Sequence, residues 1–372
     1  MRVLTLNVGS TGLKAASFEM EAGTLGSLRP VPETRAQTVL AGDAQSILLS
    51  ALDAMPEPTR APDVVVHRIV HGGPLVDPCE LDHAVVDTLR SVAVWAPAHQ
   101  PAALALMEAA RHAWPGARHG AAFDTTFHAG LARWSRRLPI PAQFDAQGIH
   151  RYGFHGLAFA SALRQLSRMA DLRGDERIVI AHLGGGASVA AIHGGTCIDT
   201  TMGLTPMGGL PMSARSGDLD PGVIFELLRR TGGDAVALER QLTHASGLSG
   251  IAGHGDLERL LDDPRADARL AIDQFVMRVA QAIASMATAV GGIAHLVFTG
   301  GAGANSVPLR ARIAERLMWM GVELDPARNL AGQEELSPPT SSDVRVWRID
   351  VDEAFELALS TVSWLHRIPG EA

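Results

Sequence analysis

One stretch without helical or strand period, Asp199 to Gly222, combines a cationic side chain with possible partners. Its only basic residue, Arg215, is followed by a serine, a glycine and the aspartates Asp218 and Asp220. A guanidinium presents a planar fork of N–H donors that matches an anion. Methionine and leucine side chains spread through the stretch predict an ordered loop rather than a solvated linker. An anion-binding arginine and an arginine paired with its own aspartates both remain open.

Three runs of small residues could hold phosphate oxygens through exposed backbone N–H groups. They lie at residues 9–12, 184–187 and 299–305, and each follows an apolar run. A strand and a glycine turn together make a concavity suited to phosphate. None of the three has the Walker A lysine or the Rossmann spacing. Any one turn could serve hairpin geometry alone, but three in one chain suggest a nucleotide held between two related domains.

Polar side chains also gather where predicted strands end. Arg68 lies near the end of one apolar run and precedes a His-Gly-Gly segment, His99 precedes a predicted helix, and Asp124 follows another strand. Strand ends are where sites collect in α/β proteins. Each of these residues could instead be an ion pair, a cap or a hydrogen-bonded core histidine.

The elements that must position these residues alternate between strands and helices, which indicates an α/β fold. Residues 3–18 and 178–193 share a pattern of apolar run, small-residue turn and apolar run, which suggests an internal duplication. Further strands are predicted at DVVVHRIV, HLVF and VRVWRI and in the run that ends at Phe123. Helices are predicted over 43–55, 82–95, 101–114, 221–230, 270–290, 307–317 and 352–366, with another that ends near Met169.

Composition and charge exclude several classes of protein. The chain has 372 residues, more than one hydrophobic core usually supports, so two domains are expected. A net charge of -8 argues against a nucleic-acid-binding face. Only two cysteines are present, which favours a reducing cytoplasm, and no signal peptide is evident. The charge-free run 279–309 is interrupted by polar residues and a glycine pair, so no membrane helix is expected.

These clusters, in this order, resemble the acetate and butyrate kinase family, whose fold is shared with actin and the sugar kinases. The resemblance runs almost end to end and rests on LNVGSTGLK, HRIVHGG, APAHQP, FDTTFH, YGFHG, AHLGGGAS, ARSGDLDPG, FTGGAGANS and the triplet 351–353. It implies duplicated actin-like (ribonuclease H-like) α/β domains with an active-site cleft between them. Residues 1–125 with 353–372 would form domain I. Residues 126–352 would form domain II, which would bind the nucleotide and pair in a homodimer.

By this resemblance the enzyme would transfer the γ-phosphoryl group of ATP reversibly to the carboxylate of a short-chain fatty acid, giving an acyl phosphate and ADP. Arg68 would hold the carboxylate of the acid. Arg215 and His155 would stabilise charge on the transferring phosphoryl group, and His99 would assist. Asp124 would orient one of the arginines and help to place the metal.

The resemblance also implies the other binding residues. With Asp124, the residues Asn7 and Glu353 would place Mg²⁺ or Mn²⁺ directly or through waters. The pocket for the acid would be lined by Val70, Ala98, Phe154 and Pro206. The nucleotide would be held by Ser10, Thr11, Lys14, His182, Gly184, Gly185, Gly186, Asp256, Leu257, Gly301, Gly303 and Asn305. Ala98 stands where acetate kinases usually have leucine, so propionate is expected to be used at least as well as acetate.

Several departures from the family pattern surround the nucleotide rather than the carboxylate. Gly12 replaces one of the usual hydroxyl residues, and Glu258 stands where an arginine is expected against the adenine. Glycine or alanine replaces a larger polar residue at Gly185, Gly208 and Ala304, and 157–159 is apolar. Two alternatives to an ATP-dependent carboxylate kinase therefore stay open: the same chemistry with another donor such as pyrophosphate, and an inactive nucleotide-sensing or partner-binding member.

Overall fold

The structure is a computed structural model that describes residues 1–9, 12–20, 28–39, 42–56, 61–339 and 343–365. The chain divides into two compact units, Met1–Ala129 with Asp352–Ala372, and Gly130–Val351. Each unit contains one mixed β-sheet together with α-helices. The predicted α/β class is therefore confirmed.

The sheet of the first unit has the strand order β3-β2-β1-β4-β6-β5. Its strands are β1 (Arg2–Val8), β2 (Gly12–Met20), β3 (Leu28–Val39), β4 (Val64–Ile69), β5 (Cys79–Glu80) and β6 (Arg118–Phe123). β1 pairs antiparallel with β2 and parallel with β4, and β4 pairs parallel with β6. The parallel strands are buried along most of their length, as strands covered on both faces are.

The helices of the first unit are α1 (Ala44–Asp53), α2 (His83–Ser91), α3 (Gln100–Ala113) and α15 (Glu353–Leu365). Asp43 and Asp82 cap α1 and α2 by accepting hydrogen bonds from backbone N–H groups three residues on. The helix expected over 82–95 ends at Ser91 and is followed by a 3₁₀ turn at 93–95. Pro97 follows this turn, and a proline cannot continue an α-helical hydrogen-bond pattern.

The sheet of the second unit repeats the pairing of the first. Its order is β11-β10-β7-β8-β9, formed by β7 (Arg177–Leu183), β8 (Ala187–His193), β9 (Thr196–Thr200), β10 (His295–Thr299) and β11 (Arg345–Arg348). β7 pairs antiparallel with β8 and parallel with β10, which pairs parallel with β11. The succession β9-β8-β7-β10-β11 thus matches β3-β2-β1-β4-β6. The internal duplication predicted from the two strand-turn-strand runs is confirmed.

The helices of the second unit lie before, between and after these strands. They are α4 (Arg133–Arg136), α5 (Ala142–Asp145), α6 (Gly156–Met169), α7 (Pro221–Arg230), α8 (Ala235–His244), α9 (Gly247–Ala252), α10 (Leu257–Asp262), α11 (Ala266–Ala289), α12 (Gly300–Asn305), α13 (Val307–Leu317) and α14 (Pro326–Leu330). In α11 the residues Ile272, Val276, Val279 and Ile283 are buried at the predicted helical spacing. Within the described ranges, no helix is long and apolar enough to cross a membrane.

The third small-residue run differs from the expected turn, because 300–305 form the short helix α12. Gly300 adopts a φ of +81°, and a Cβ at this position would lie 2.6 Å from the carbonyl oxygen of Leu183. The buried Arg310 then donates hydrogen bonds to the carbonyl oxygens of Gly303 and Ala304. These bonds satisfy carbonyls that the end of a helix leaves without partners.

The Arg215 loop is ordered, as its apolar residues predict, but it begins later than expected because Asp199 and Thr200 belong to β9. Two methionines of the loop, Met202 and Met212, are buried. Not all of its methionine and leucine side chains are packed, since that of Leu219 is 40% exposed.

Candidate active site

The ends of three neighbouring strands of the first unit and the start of α15 bring four predicted residues together. β1, β4 and β6 are parallel, so Asn7, Arg68 and Asp124 reach the same edge of the sheet. Arg68 Nε donates to Asp124 Oδ1 at 3.0 Å, and Nη2 donates to Oδ2 at 2.6 Å. Arg68 Nη1 donates to Asn7 Oδ1 at 3.0 Å, and Asn7 Nδ2 donates to Glu353 Oε2 at 2.7 Å. Arg68, Asp124, Asn7 and Glu353 thus form one hydrogen-bonded group.

Burial and charge act in opposite directions on Arg68. The side chain is 11% exposed and that of Asp124 is 1% exposed. Burial disfavours the charged guanidinium, but the carboxylates of Asp124 and Glu353 outweigh it and raise the pKa of Arg68. The guanidinium therefore stays charged, and its two-point contact with Asp124 fixes the plane of the fork.

The buried side-chain amide of Gln100, which lies next to His99 in the polar cluster of the APAHQP segment, holds the turn after β4 in place. Its Oε1 accepts from the backbone N–H of His71, and its Nε2 donates to the His71 carbonyl at 2.9 Å. The hydroxyl of Thr125 accepts from the N–H of Gly72. The sequence marks Gln100 as part of this cluster but does not reveal its contacts with His71. His99 itself precedes the first residue of α3 and is half-buried.

His155 and Arg215 converge beside one glycine in the second unit. A Cβ on Gly186 would lie 2.9 Å from His155 Nε2 and 3.4 Å from Arg215 Nη2. His155 Nδ1 lies 2.8 Å from Ser188 Oγ, and its ring centroid is 4.6 Å from that of His182. His155 has a φ of +59°, a left-handed conformation that is uncommon for a residue with a side chain. The turn between β7 and β8 thus needs glycine where these two side chains meet.

Backbone contacts hold the Arg215 loop closely. Arg215 Nη1 donates to the carbonyl oxygen of the buried Pro206 at 2.7 Å. A Cβ on Gly247 would lie 2.4 Å from the carbonyl oxygen of Arg215, so only glycine permits this approach. Asp218 accepts from the N–H of Gly209, and Asp220 caps α7. The two aspartates that could have paired with Arg215 therefore brace the loop and the following helix.

A cavity of about 500 Å³ lies within the second unit. It is lined by Gly184, Gly185, Ser213, Gly255, Asp256, Leu257, Glu258, Leu261, Asp262, Gly301, Ala302, Asn305, Ser306, Val307 and Pro308. The glycine runs meet here, since a Cβ on Gly184 would lie 3.6 Å from the backbone nitrogen of Gly301. The cavity combines glycine backbone with apolar walls, which is the lining that a nucleotide requires.

Several residues predicted to hold the nucleotide occupy this lining and others do not. The lining includes Gly184, Gly185, Asp256, Leu257, Gly301 and Asn305. Gly303 packs toward Leu183, and Gly186 faces His155 and Arg215. Lys14 is exposed on β2, opposite Asn7 in the strand register. Ser10 and Thr11 lie outside the described residues.

The residues predicted to line the acid pocket are divided between the units. Val70 is buried and Ala98 half-buried in the first unit, and Phe154 and Pro206 are buried in the second. All four residues are apolar.

The donor atoms around Arg68 suit Mg²⁺. Asn7, Asp124 and Glu353 supply amide and carboxylate oxygens, the ligands that this cation prefers. In the part of the chain that the structure describes, no cluster of three His, Cys, Asp or Glu side chains could hold a metal alone. Mg²⁺ usually keeps several waters and is held by one or two carboxylates together with substrate phosphates. The residues present fit that kind of binding.

Comparisons with known proteins show what the whole chain is similar to. The acetokinase family matches residues 2–359. The chain is 37% identical over 390 residues to an acetate kinase of Rhodopseudomonas palustris (strain TIE-1), with 96% of each sequence covered. It is similar to the crystal structure of a propionate kinase from Francisella tularensis, with a TM-score of 0.84, 27% identity and coverage of 96% of this chain and 98% of the other. Porphyromonas gingivalis acetate kinase gives a TM-score of 0.82, 30% identity and coverage of 98% and 99%.

Proposed function

Because the chain belongs to the acetokinase family, whose members phosphorylate a carboxylate, we propose that it transfers the γ-phosphoryl group of ATP reversibly to acetate or propionate. The observation that carries this proposal is the approach of His155 Nε2 and Arg215 Nη2 to Gly186, in the turn that also contributes Gly184 and Gly185 to the cavity. Donors for phosphoryl oxygens and a cavity for the rest of the nucleotide therefore share one turn.

The chemistry requires positive charge rather than a general base. A carboxylate is already a nucleophile at neutral pH, so the protein must position two anions in line and reduce their repulsion. Arg68, aligned by Asp124, would hold the carboxylate of the acid. Arg215 would stabilise charge on the transferring phosphoryl group, and His155 would donate from Nε2 while Ser188 fixes its ring. His99 would assist in binding the transition state.

Asn7, Asp124 and Glu353 would hold Mg²⁺ through oxygen atoms or bridging waters. When bound, the cation would neutralise phosphate charge. Asn7 contacts both Arg68 and Glu353, so the same amide would keep the arginine and the acidic residue at a fixed separation.

The cavity supports a nucleotide as the donor in preference to pyrophosphate. Leu257, Leu261, Val307 and Pro308 give it apolar walls that a diphosphate would not need. An inactive descendant is the weaker interpretation, because it would have no reason to keep Arg68, Asp124, His155 and Arg215 together. On these grounds we assign the donor site to a nucleotide rather than to pyrophosphate.

Ala98 supports propionate as an acceptor. Its methyl group stands where acetate kinases usually have leucine, so room for another methylene is expected. Each buried methylene contributes about 0.8 kcal/mol to binding. Similarity to a propionate kinase is consistent with this preference.

We also propose that the protein is a cytoplasmic homodimer that pairs through its second unit. No residue of α7 is buried, and Phe225 is 60% exposed while Val236 on α8 is 76% exposed. These two helices pack against each other, and exposed apolar side chains on neighbouring elements are typical of interaction surfaces. Cys79 and Cys197 are both free thiols, which suits a reducing compartment. Sedimentation should show a dimer that Phe225→Glu weakens, and a monomer at all concentrations would contradict the proposal.

The function can be tested by trapping acyl phosphate as the hydroxamate. The purified chain is given acetate, propionate or butyrate with Mg²⁺ and either ATP or pyrophosphate. Product with ATP, at least as rapid for propionate as for acetate, is expected. Product formed with pyrophosphate but not with ATP would show that pyrophosphate is the donor. The absence of product with either donor would refute the kinase proposal.

A further inference from the structure

One wall of the nucleotide cavity is formed by α10, which carries two carboxylates on one face. Glu258, Leu261 and Asp262 of α10 all line the cavity. Residues three and four apart share one face of a helix, so Glu258, Leu261 and Asp262 lie on the same face of α10, where both carboxylates are exposed at the cavity wall. Asp256 fixes the start of α10, because its side chain accepts from the N–H groups of Glu258 and Arg259.

These carboxylates are not neutralised by neighbouring side chains. Neither Glu258 nor Asp262 has a side-chain hydrogen bond or ion pair within the described ranges, whereas the adjacent Asp263 pairs with Arg265 and His254. The residues that line the cavity include no lysine and no arginine. Because the wall formed by α10 is negative, it would repel phosphate groups and favour a neutral part of the donor that offers N–H groups.

The opposite parts of the lining favour a flat heterocycle at this wall. Val307 and Pro308 present apolar atoms, as do Leu257 and Leu261. The glycine runs provide the remaining space, since a Cβ on Gly185 or Gly301 would meet no atom within 4 Å. The phosphates therefore suit the glycine part of the cavity, and the base suits the part formed by α10 and the start of α13.

The bases differ in what they offer a carboxylate. Guanine has two adjacent donors, its N1–H and its 2-amino group, and these match the two oxygens of one carboxylate. Adenine offers its 6-amino group beside the N1 lone pair, so the second carboxylate oxygen would face an acceptor. We propose that Glu258, supported by Asp262, makes the cavity selective for guanine, so that guanine nucleotides bind more tightly and are better phosphoryl donors than ATP.

This inference rests on the proposed function for the donor role, but base selectivity can be measured by binding alone. Calorimetric titration of the full chain with MgGDP, MgIDP and MgADP should give a dissociation constant about tenfold lower for GDP than for ADP, as a charge-assisted contact predicts. IDP lacks the 2-amino group and should lie between them. The ratio of kcat/KM for GTP over ATP in the hydroxamate assay should show the same order.

Substitutions distinguish a specific contact of the Glu258 carboxylate with the base from a general effect of negative charge. Glu258→Gln should bring the GDP and ADP constants close together, and Asp262→Asn should reduce the difference partly. Glu315→Gln is the matched control, because Glu315 is exposed on α13 and does not line the cavity, and it should leave the ratio unchanged. Equal or tighter binding of ADP to the unaltered protein, or a ratio that Glu258→Gln does not change, would overturn the inference. GDP selectivity without acyl phosphate from any donor would support the base site and refute the kinase proposal.

Discussion

Arg68 and Asp124 are joined by two hydrogen bonds that run side by side, from Nε to Oδ1 at 3.0 Å and from Nη2 to Oδ2 at 2.6 Å. The contact occupies one side of the guanidinium, and Nη1 extends to Asn7. The arginine therefore has a fixed orientation before a substrate arrives. Such preorganisation lowers the entropy lost when an anion binds.

The first prediction concerns Arg68. Arg68→Ala should raise KM for the acid by about tenfold to a hundredfold, because a hydrogen bond to a charged group is lost. The value of kcat should change much less. Arg90→Ala, at an exposed arginine of α2, is the control and should leave KM unchanged. An unchanged KM in Arg68→Ala would show that this arginine does not hold the acid.

Arg215→Ala should have the opposite kinetic signature. Loss of a donor that acts mainly in the transition state should lower kcat roughly a hundredfold or more, with little change in KM. Arg240, which is exposed on α8, offers a matched control, and Arg240→Ala should leave kcat unchanged. If both arginine variants at positions 68 and 215 showed the same small effects, the two roles would have to be abandoned.

Gly186→Ala tests the convergence of His155 and Arg215 directly. The new methyl group would lie 2.9 Å from His155 Nε2 and 3.4 Å from Arg215 Nη2, so both side chains would have to shift. Because small misplacements of catalytic groups are costly, kcat should fall about tenfold or more. Gly203→Ala is the control, since a Cβ there meets nothing within 4 Å. A Gly186→Ala enzyme with normal kcat would contradict the placement of these groups.

The buried pair His67 and His119 predicts how stability depends on pH. His67 Nε2 lies 3.3 Å from His119 Nδ1, and burial, with help from the positive charges of His119 and Arg111, lowers the pKa of His67 to about 3. An unfolded histidine has a pKa of about 6.5. Between these values the unfolded chain binds a proton that the folded chain does not. As the pH is lowered through this range, His67 should therefore reduce the free energy of unfolding by up to about 1.4 kcal/mol per pH unit. Above pH 7 this residue should have no effect on it.

Urea unfolding between pH 7.5 and 4.5 measures this contribution. His67→Phe should give a shallower decline of the unfolding free energy than the unaltered protein, whatever its absolute stability. His83→Phe, at an exposed histidine of α2, should leave the slope unchanged. An identical slope in the His67 variant would show that this histidine titrates normally.

Local pattern accounts for the elements that the sequence predicts well. The buried residues of α11 recur with helical spacing, and the duplicated strands are apolar runs separated by small residues. β3 was not predicted because Pro30 and Pro32 interrupt its apolar pattern, and its place at the edge of the sheet tolerates prolines. α12 was taken for a turn because its glycines are poor helix formers. Its helical form depends on bonds from Arg310 that local propensity does not reveal.

The same holds for the site, where the sequence identifies residues but not the contacts between them. Resemblance singled out Arg68 and Asp124, but their two-point contact depends on strands that are separated in sequence and adjacent in the sheet. The contacts of Gln100 with the His71 backbone and of Ser188 with His155 were not predicted, because they join residues that are distant in sequence. The resemblance placed Glu258 at the expected adenine position, and the structure adds that the cavity it lines contains no lysine and no arginine among its lining residues.

The central claim is that this chain moves a phosphoryl group between a carboxylate and a nucleotide, and the reverse reaction tests it most directly. Synthetic acetyl or propionyl phosphate is incubated with MgADP and the protein, and newly formed ATP is measured. The account predicts rapid ATP formation that Arg215→Ala nearly abolishes and Arg240→Ala leaves intact. Absence of ATP with the folded, unaltered protein and either acyl phosphate would contradict it.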